Sequence, residues 1–504
     1  MPSISHGDVI RVEALSTPAE NPHVPNADLT SNIDCLHRTR FGYLFRELQK
    51  DAENLLPQCP PTIAALVNLG SAMGDAGSDP AFDSAIPSAY TYFAQFVSHD
   101  ITHDAVTLDV DLSKSQIEPW PLDDILQKLV NSRRPTLDLD SVYEPAYYKG
   151  ECYSVPRKSG NDNEMMIGPA LRGNDFIPDH DLPRWLEKEN PDPNFDRTAK
   201  VGDGRNDENL ILSQLHVAFL RAHNAIVAKG SSFDEARKLL RQHYQWIVVG
   251  DFLNRVADPD IVKVIRSGAV KVYSPPEGDD FFMPLEFTVA AFRFGHSLVR
   301  SVYDYNDEHK QATLLNLFMS NALGYSFQLP SSWIIRWDRF LEGGPNVARR
   351  IDTRLAEPLG ILLDPKGNLL QFEHRLAVRD LLRGYILRIP TGQAVARALH
   401  MPVMSEAEIE KVAGEVSAEQ KQVLHYSGFS SRTPLWFYIL AEAAHSGTGR
   451  LGPVGSILVA SVMVELVRRS KDSILNDPAW SPTLGQTKGQ FDLPDLFHLA
   501  GVLN

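Results

Sequence analysis

Cysteine is scarce in this chain. Cys35, Cys59 and Cys152 are the three among 504 residues, too few for a disulfide framework and in a spacing that fits no zinc pattern. They read as ordinary thiols of a reducing compartment. Basic residues are in deficit as well: 49 Lys and Arg against 64 Asp and Glu leave a net charge of −15. With no basic block along the chain, a nucleic-acid partner is excluded. Long hydrophobic runs are missing. The opening "MPSISHGDVIRVEALSTPAENPHVPNADL" has no apolar core of signal-peptide length. The apolar run "GSILVASVMVELV" near the end is too short for a bilayer and is broken by Ser461 and Glu465, so no transmembrane segment is expected. Location is then cytoplasmic, or exported without a cleavable signal. Strand signals are few, with "GAVKVYS" at 268–274 the clearest.

What the chain does have is helical periodicity. Apolar residues recur at helical spacing over 84–104, 208–230, 233–256, 284–305, 374–387 and 452–470. Between them run long Pro- and Asp-rich connections, above all 105–207, which show no sustained period. At 43% hydrophobic content a chain of this length buries a large core. No clear linker divides it. The expected architecture is mainly α with few short strands: an N-terminal arm over 1–33, one large domain over 34–490 and a C-terminal tail over 491–504. A core that large is unusual unless a cofactor fills its centre.

Three segments put polar groups where the pattern demands burial. In "YTYFAQFVSHDITHD" (90–104), Gln95, His99 and His103 recur every fourth residue beside a stripe of Tyr92, Phe93, Phe96, Val97 and Ile101. In "GDGRNDENLILSQLHVAFLRAHN" (202–224), Arg205 and Glu208 stand three apart at the head of a long amphipathic helix. In "AAFRFGHSLVRS" (290–301), Gly295 precedes His296, and a missing side chain lets something planar approach the backbone. Taken singly, each histidine reads first as a hydrogen-bonded core residue. Taken together, two chemistries can use them. His99 and His103 at i, i+4 with nearby carboxylates could hold a non-haem metal. Alternatively, a haem needs one axial imidazole, and peroxide chemistry opposite it needs a base and a fixed cation.

The three segments resemble the distal, arginine-bearing and proximal motifs of the animal-type haem peroxidases, the peroxidase–cyclooxygenase superfamily. "LDLDSVY" (137–143), "LAVRDLLRGYILRIPTGQ" (376–393), "TPLWFYILAEA" (433–443) and "RLGPVGSILVA" (450–460) follow in the family's order. The resemblance covers roughly residues 34–485 and implies the large, mainly α haem-peroxidase fold. By that resemblance His99 is the distal base, Gln95 lies beside it, Arg205 is the distal cation, and His296 is the proximal ligand of the haem iron. Arg293 matches the arginine turned toward a haem propionate, and Asp380 stands where the family places an Asn behind the proximal histidine. A carboxylate there implies more imidazolate character and a lower iron potential. Asp100 matches a residue that binds a structural calcium together with "RPTLDLDSVY" (134–143). Asp138 and Asp140 then contribute side chains, and Arg134 and Thr136 backbone oxygens. The plain reading of that loop is a solvated acidic turn.

Departures from the family matter equally. Mammalian members attach haem through two esters, from an Asp before the distal histidine and a Glu three residues after the distal arginine. The first position is Ser98, which cannot form one; Glu208 keeps the second, or is only a first-turn acid. Asn209 replaces the Met that makes a sulfonium link in one member. Cofactors implied are haem b, with one possible link through Glu208, and calcium. Partners implied are hydrogen peroxide and a small aromatic donor, or bromide, iodide or thiocyanate; chloride oxidation does not go with a singly linked haem. Cyclooxygenases and fatty-acid dioxygenases carry a radical-forming Tyr where Arg293 stands. Two alternatives stay open, a fatty-acid oxygenase and a haem-binding protein without turnover. His103, His216 and His223 read as packing or edge histidines, and the short chain suggests a microbial member. Oligomeric state is not legible.

Overall fold

The computed structural model describes residues 39–503 apart from 76–78, 104–116, 149–150, 174, 186–198, 208, 276–280, 315–327 and 361–374. The expected arm over 1–33 and Glu208 lie outside the described residues. The rest is mainly helical around one contiguous apolar core.

The helices begin where their caps say they should. Asn209 starts Leu210–Val227 by accepting from the Leu212 N–H at 2.9 Å, and Ser232 with Glu235 forms a reciprocal capping box at the head of Phe233–Trp246. Pro453 opens Pro453–Arg469, where its missing N–H costs nothing. Ala89–Ile101 crosses the middle of the molecule. Its Phe96 stacks on Phe219 at 4.7 Å between centroids and meets Tyr244 edge-on, which ties three helices to each other through aromatic contact. Leu210–Val227 is long and apolar enough to cross a membrane, yet 78% of it is buried inside the protein, as a core helix would be.

Two expectations about elements need correction. The helix expected over 284–305 is not one: strand Phe282–Pro284 leads into a π-helical turn, Glu286–Ala290, then a 3₁₀ stretch, Ala291–Leu298, and an extended chain from Val299. Ala290, at φ −127°, breaks the α register between the two, so apolar periodicity survives while the helix type changes. Nor is there a strand over 268–274. Gly268 takes φ 80° to end helix Pro259–Arg266, and the following residues stay irregular.

The strands that do form are short. Thr39–Gly42 pairs parallel with Phe282–Pro284 and antiparallel with Val130–Asn131. The aperiodic region holds three small hairpins: Ala146–Tyr148 with Glu151–Tyr153, Arg157–Lys158 with Asn161–Met165, and Gly168–Arg172 with Asp175–Asp181. Cys152 sits in the first and is disulfide-bonded, against the expectation of three thiols; Cys59 is free. Within the expected C-terminal tail over 491–504 there is regular structure. Leu493–Leu499 is a helix whose Phe497 stacks on Trp337 at 4.1 Å, with Phe491, Leu493 and Leu496 buried around it.

Candidate active site

A cleft opens between two helical segments, with about 910 Å³ of space between and above its walls, open solvent included. One wall is the Ala89–Ile101 helix and its end, presenting Thr91, Tyr92, Ala94, Gln95, Ser98, His99 and Thr102. Facing it, the π/3₁₀ segment presents Phe287, Thr288, Phe292, Arg293, Gly295, His296 and Val299. Two histidines therefore line one cavity from separate elements. A Cβ built on Gly295 would meet nothing within 4 Å, so that position opens onto space a flat group can fill.

The second wall is held from behind. Asp380, on helix Leu376–Ile386, accepts from His296 Nδ1 at 2.7 Å through one oxygen and from Arg293 Nη1 through the other. That bond puts the imidazole proton on Nδ1 and makes Nε2 the acceptor nitrogen. Burial opposes ionisation of Asp380, but Arg293 and then His296 hold its carboxyl below the usual range. Trp436 Nε1 donates to the Arg293 carbonyl at 3.2 Å and its ring meets His296 edge-on. The expectation for Arg293 thus meets a second claim: the guanidinium lines the cleft but is bonded to Asp380 and, through Nε, to the Thr288 carbonyl.

His99 is wholly buried, and its Nδ1 lies 2.9 Å from Asn206 Oδ1. Arg205 comes beside it, though not among the cleft-lining residues. Its Nη2 donates to the carbonyls of His99 and Thr102 at 3.0 and 2.7 Å, a cation on the last turn of the helix. Asp203 receives Nε and Nη2 of the same guanidinium and also Arg133. Burial works against the Asp203 charge, but Arg133 and Arg205 hold it well below the ordinary carboxylate range. Gln95 lines the cleft and accepts from Asn209 Nδ2 at 3.3 Å.

The calcium set is only partly assembled. Asp100 is buried and accepts from the N–H groups of Leu139 and Ser141 at 3.1 and 2.9 Å, with Leu139 in the left-handed region at φ 57°. Asp140 follows; burial above all raises both carboxyls, with Asp138 adding to the rise at Asp100, and Asp100, Glu144 and Asp138 to that at Asp140. Two buried acids this reluctant to ionise together suit a cation. Asp138, however, is engaged by Thr136 at 2.8 Å, the Lys471 N–H at 2.9 Å and Arg241 at 3.5 Å. The Arg134 side chain turns to Glu144. Among the described residues no three His, Cys, Asp or Glu side chains converge as metal ligands. His103 does not join His99 in a metal site; its Nδ1 lies 2.6 Å from Ser132 Oγ.

Sequence reasoning missed Asn206, Asp203 and Trp436. Asn206 had a signal, an amide between two charged residues within a motif already singled out. Trp436 had none, because an apolar helix gives no sign of which ring donates a bond.

A model of the animal haem peroxidase family matches residues 128–466. The peroxidase-like protein of Margaritifera margaritifera is 34% identical over 129 residues, 22% of this chain and 16% of that protein; the match spans a minor part of the relative's length. Among solved structures, peroxidase A from Dictyostelium discoideum shares the fold with a TM-score of 0.56 at 15% identity, over 87% of this chain and 89% of the other. The Oryza sativa fatty acid alpha-dioxygenase, solved with palmitic acid, has a TM-score of 0.52 at 15% identity, over 87% and 77%. The family match, with a two-histidine cleft in a mainly α framework, puts the chain in the peroxidase–cyclooxygenase superfamily. Within it, the chain belongs to the animal haem peroxidase family.

Proposed function

We propose that the protein is a haem-dependent peroxidase that reduces hydrogen peroxide and oxidises small aromatic donors, with bromide, iodide or thiocyanate as further reductants. The observation that carries this reading is the pair of histidines across one cleft, one of them backed by a buried carboxylate. Haem, when bound, supplies an iron that accepts oxidising equivalents from peroxide and passes them singly to a donor.

The protein's own residues do the rest. His296 Nε2 would hold the iron, with Asp380 fixing its ring and raising its basicity. Gly295 leaves room for the porphyrin plane, while Phe287, Phe292, Val299, Leu314 and Leu359 keep the cleft apolar. Across it, neutral His99 takes a proton from one peroxide oxygen and returns it to the other. Arg205, bonded to the carbonyl of His99 itself, places positive charge behind that ring. Ser98 on the wall rules out an ester at that position. Calcium at Asp100 and Asp140 belongs to the same proposal, as the cation that relieves two crowded carboxyls.

A second reading, fatty-acid oxygenation, draws on Tyr92, a buried phenol on the cleft wall. Arg293 argues against it, since the position three before His296 holds no phenol. Visible absorption decides. A Soret band that changes with peroxide supports the peroxidase, whereas oxygen uptake with a long-chain fatty acid and no peroxide response supports the alternative. In the first case His296→Ala loses the haem, and His99→Ala keeps it while reacting with peroxide about 10²–10⁴-fold more slowly. Equal loss of haem in both variants would reverse the two walls.

A further inference from the structure

Behind His99 lies a hydrogen-bonded chain that the peroxide chemistry above does not use. Asn206 Oδ1 is 2.9 Å from His99 Nδ1, and Asn206 Nδ2 is 3.0 Å from Nδ1 of His216, on helix Leu210–Val227. All three side chains are completely buried. We propose that Asn206 is a positioning residue that sets the tautomer of His99, with His216 as the anchor that sets Asn206.

The argument is one of donors and acceptors. An amide oxygen only accepts and an amide nitrogen only donates. With Oδ1 toward His99, the proton of that imidazole is on Nδ1, and Nε2 carries the lone pair. The other tautomer would put a lone pair on Nδ1 against the lone pairs of Oδ1, and an N–H where the base should be. A neutral histidine serves as the base only in the first form. What keeps the amide from turning over is His216. Its Nδ1 accepts from Asn206 Nδ2 when the imidazole proton is on Nε2, and in that tautomer a flipped amide would lose the bond in a site closed to water. Burial lowers the His216 pKa to about 3, so the ring stays neutral, and in its Nε2-protonated tautomer Nδ1 is the acceptor that this contact calls for. His216 in turn meets Phe96 of the His99 helix edge-on, which fixes its plane. Helix Leu210–Val227 thus sets, through one amide, which nitrogen of His99 carries the proton.

This inference rests on the peroxidase reading for its consequence but not for its measurement. Nitrogen-15 spectra of the imidazoles, recorded on the ferrous carbon monoxide complex and on the chain as isolated, report the tautomer of His99 directly, assigned by difference against His99→Gln. The expected result is a protonated Nδ1 and a bare Nε2; a protonated Nε2 in the wild type overturns the proposal whatever the activity. Stopped-flow reaction with peroxide supplies the second reading. Asn206→Leu is expected to slow it about 100-fold with haem content and donor oxidation retained, while Asn206→Asp, which still accepts from Nδ1, stays within about tenfold of wild type. Equal losses in both variants, or no loss in Asn206→Leu, also overturn it. A wild type that binds haem and ignores peroxide would sink the proposed function instead, and the nitrogen-15 spectra would still decide the role of Asn206.

Discussion

At His296 the acceptor of the imidazole proton is a carboxylate shared with a guanidinium, and that sharing sets what the ligand can do. Asp380 alone would draw the imidazole strongly toward imidazolate; Arg293, on its other oxygen, takes part of that charge. The iron potential should still lie below that of an amide at the same place. A charge-assisted hydrogen bond exceeds a neutral one by about 1 kcal/mol, which for one electron is roughly 40 mV. Asp380→Asn is therefore expected to raise the potential by tens of millivolts in a spectroelectrochemical titration, and an unchanged or lowered value would remove Asp380 from this role. The residue itself was legible from its place in "LAVRDLLRG". Its partnership with Arg293 was not, because 87 residues separate the two along the chain.

Between elements, the decisive contact joins the loop that carries Arg205 to the short helix Asp140–Tyr143. A Cβ on Gly202 would lie 2.6 Å from the Asp140 carbonyl oxygen and 3.0 Å from those of Ser141 and Glu144. Backbone cannot give way as a side chain would. Gly202→Ala should cost about 1–3 kcal/mol in denaturant unfolding and should also slow peroxide reaction, since the displaced loop carries Asn206 and Arg205 away from His99. Loss of stability with an unchanged peroxide rate would separate the two elements functionally. The same helix bears Asp140, which ties the calcium proposal to this junction. Chelator treatment is expected to lower the melting temperature of the wild type and to leave that of Asp140→Asn unchanged; equal drops would place any cation elsewhere. Sequence periodicity located Ala89–Ile101, Leu210–Val227, Leu376–Ile386 and Pro453–Arg469 within a few residues, but gave no sign of Asp140–Tyr143. It could not tell an α-helix from the π and 3₁₀ turns around His296, since a stripe of apolar residues looks alike in each until backbone geometry is fixed.

On the scale of the molecule, the C-terminal segment closes the fold through a neutral histidine. His243 donates from Nδ1 to the Leu239 carbonyl at 2.7 Å, while Nε2 accepts from the N–H groups of Thr483 and Leu484 at 2.9 and 3.1 Å. Burial lowers its pKa to about 4, and His223 is lowered to about 4 in the same way. A base held neutral in the fold binds its proton more readily when unfolded. Its contribution is present above the unfolded value near 6.5 and is lost as the pH falls toward 4. For His243 that amounts to roughly 3 kcal/mol. His243→Gln should accordingly be less stable than wild type at pH 8, with the gap closing as the pH falls toward 4; a gap independent of pH would mean that folding leaves the imidazole pKa unshifted.

Composition, periodicity and seven motifs in order sufficed for the mainly α framework, and singled out the two histidines that line one cleft. Those features depend on residue identity and on spacing along one element, which a linear chain displays. The tertiary structure alone decided that Arg205 caps the end of the His99 helix, that Arg293 shares Asp380, that Cys152 is in a disulfide, and that Asn206 stands between His99 and His216. Nearly all of these contacts join residues far apart in the chain, chosen by which groups remain unsatisfied once the core has closed. Hydrogen-bond partners of buried groups are settled by packing, and packing is a property of the folded molecule.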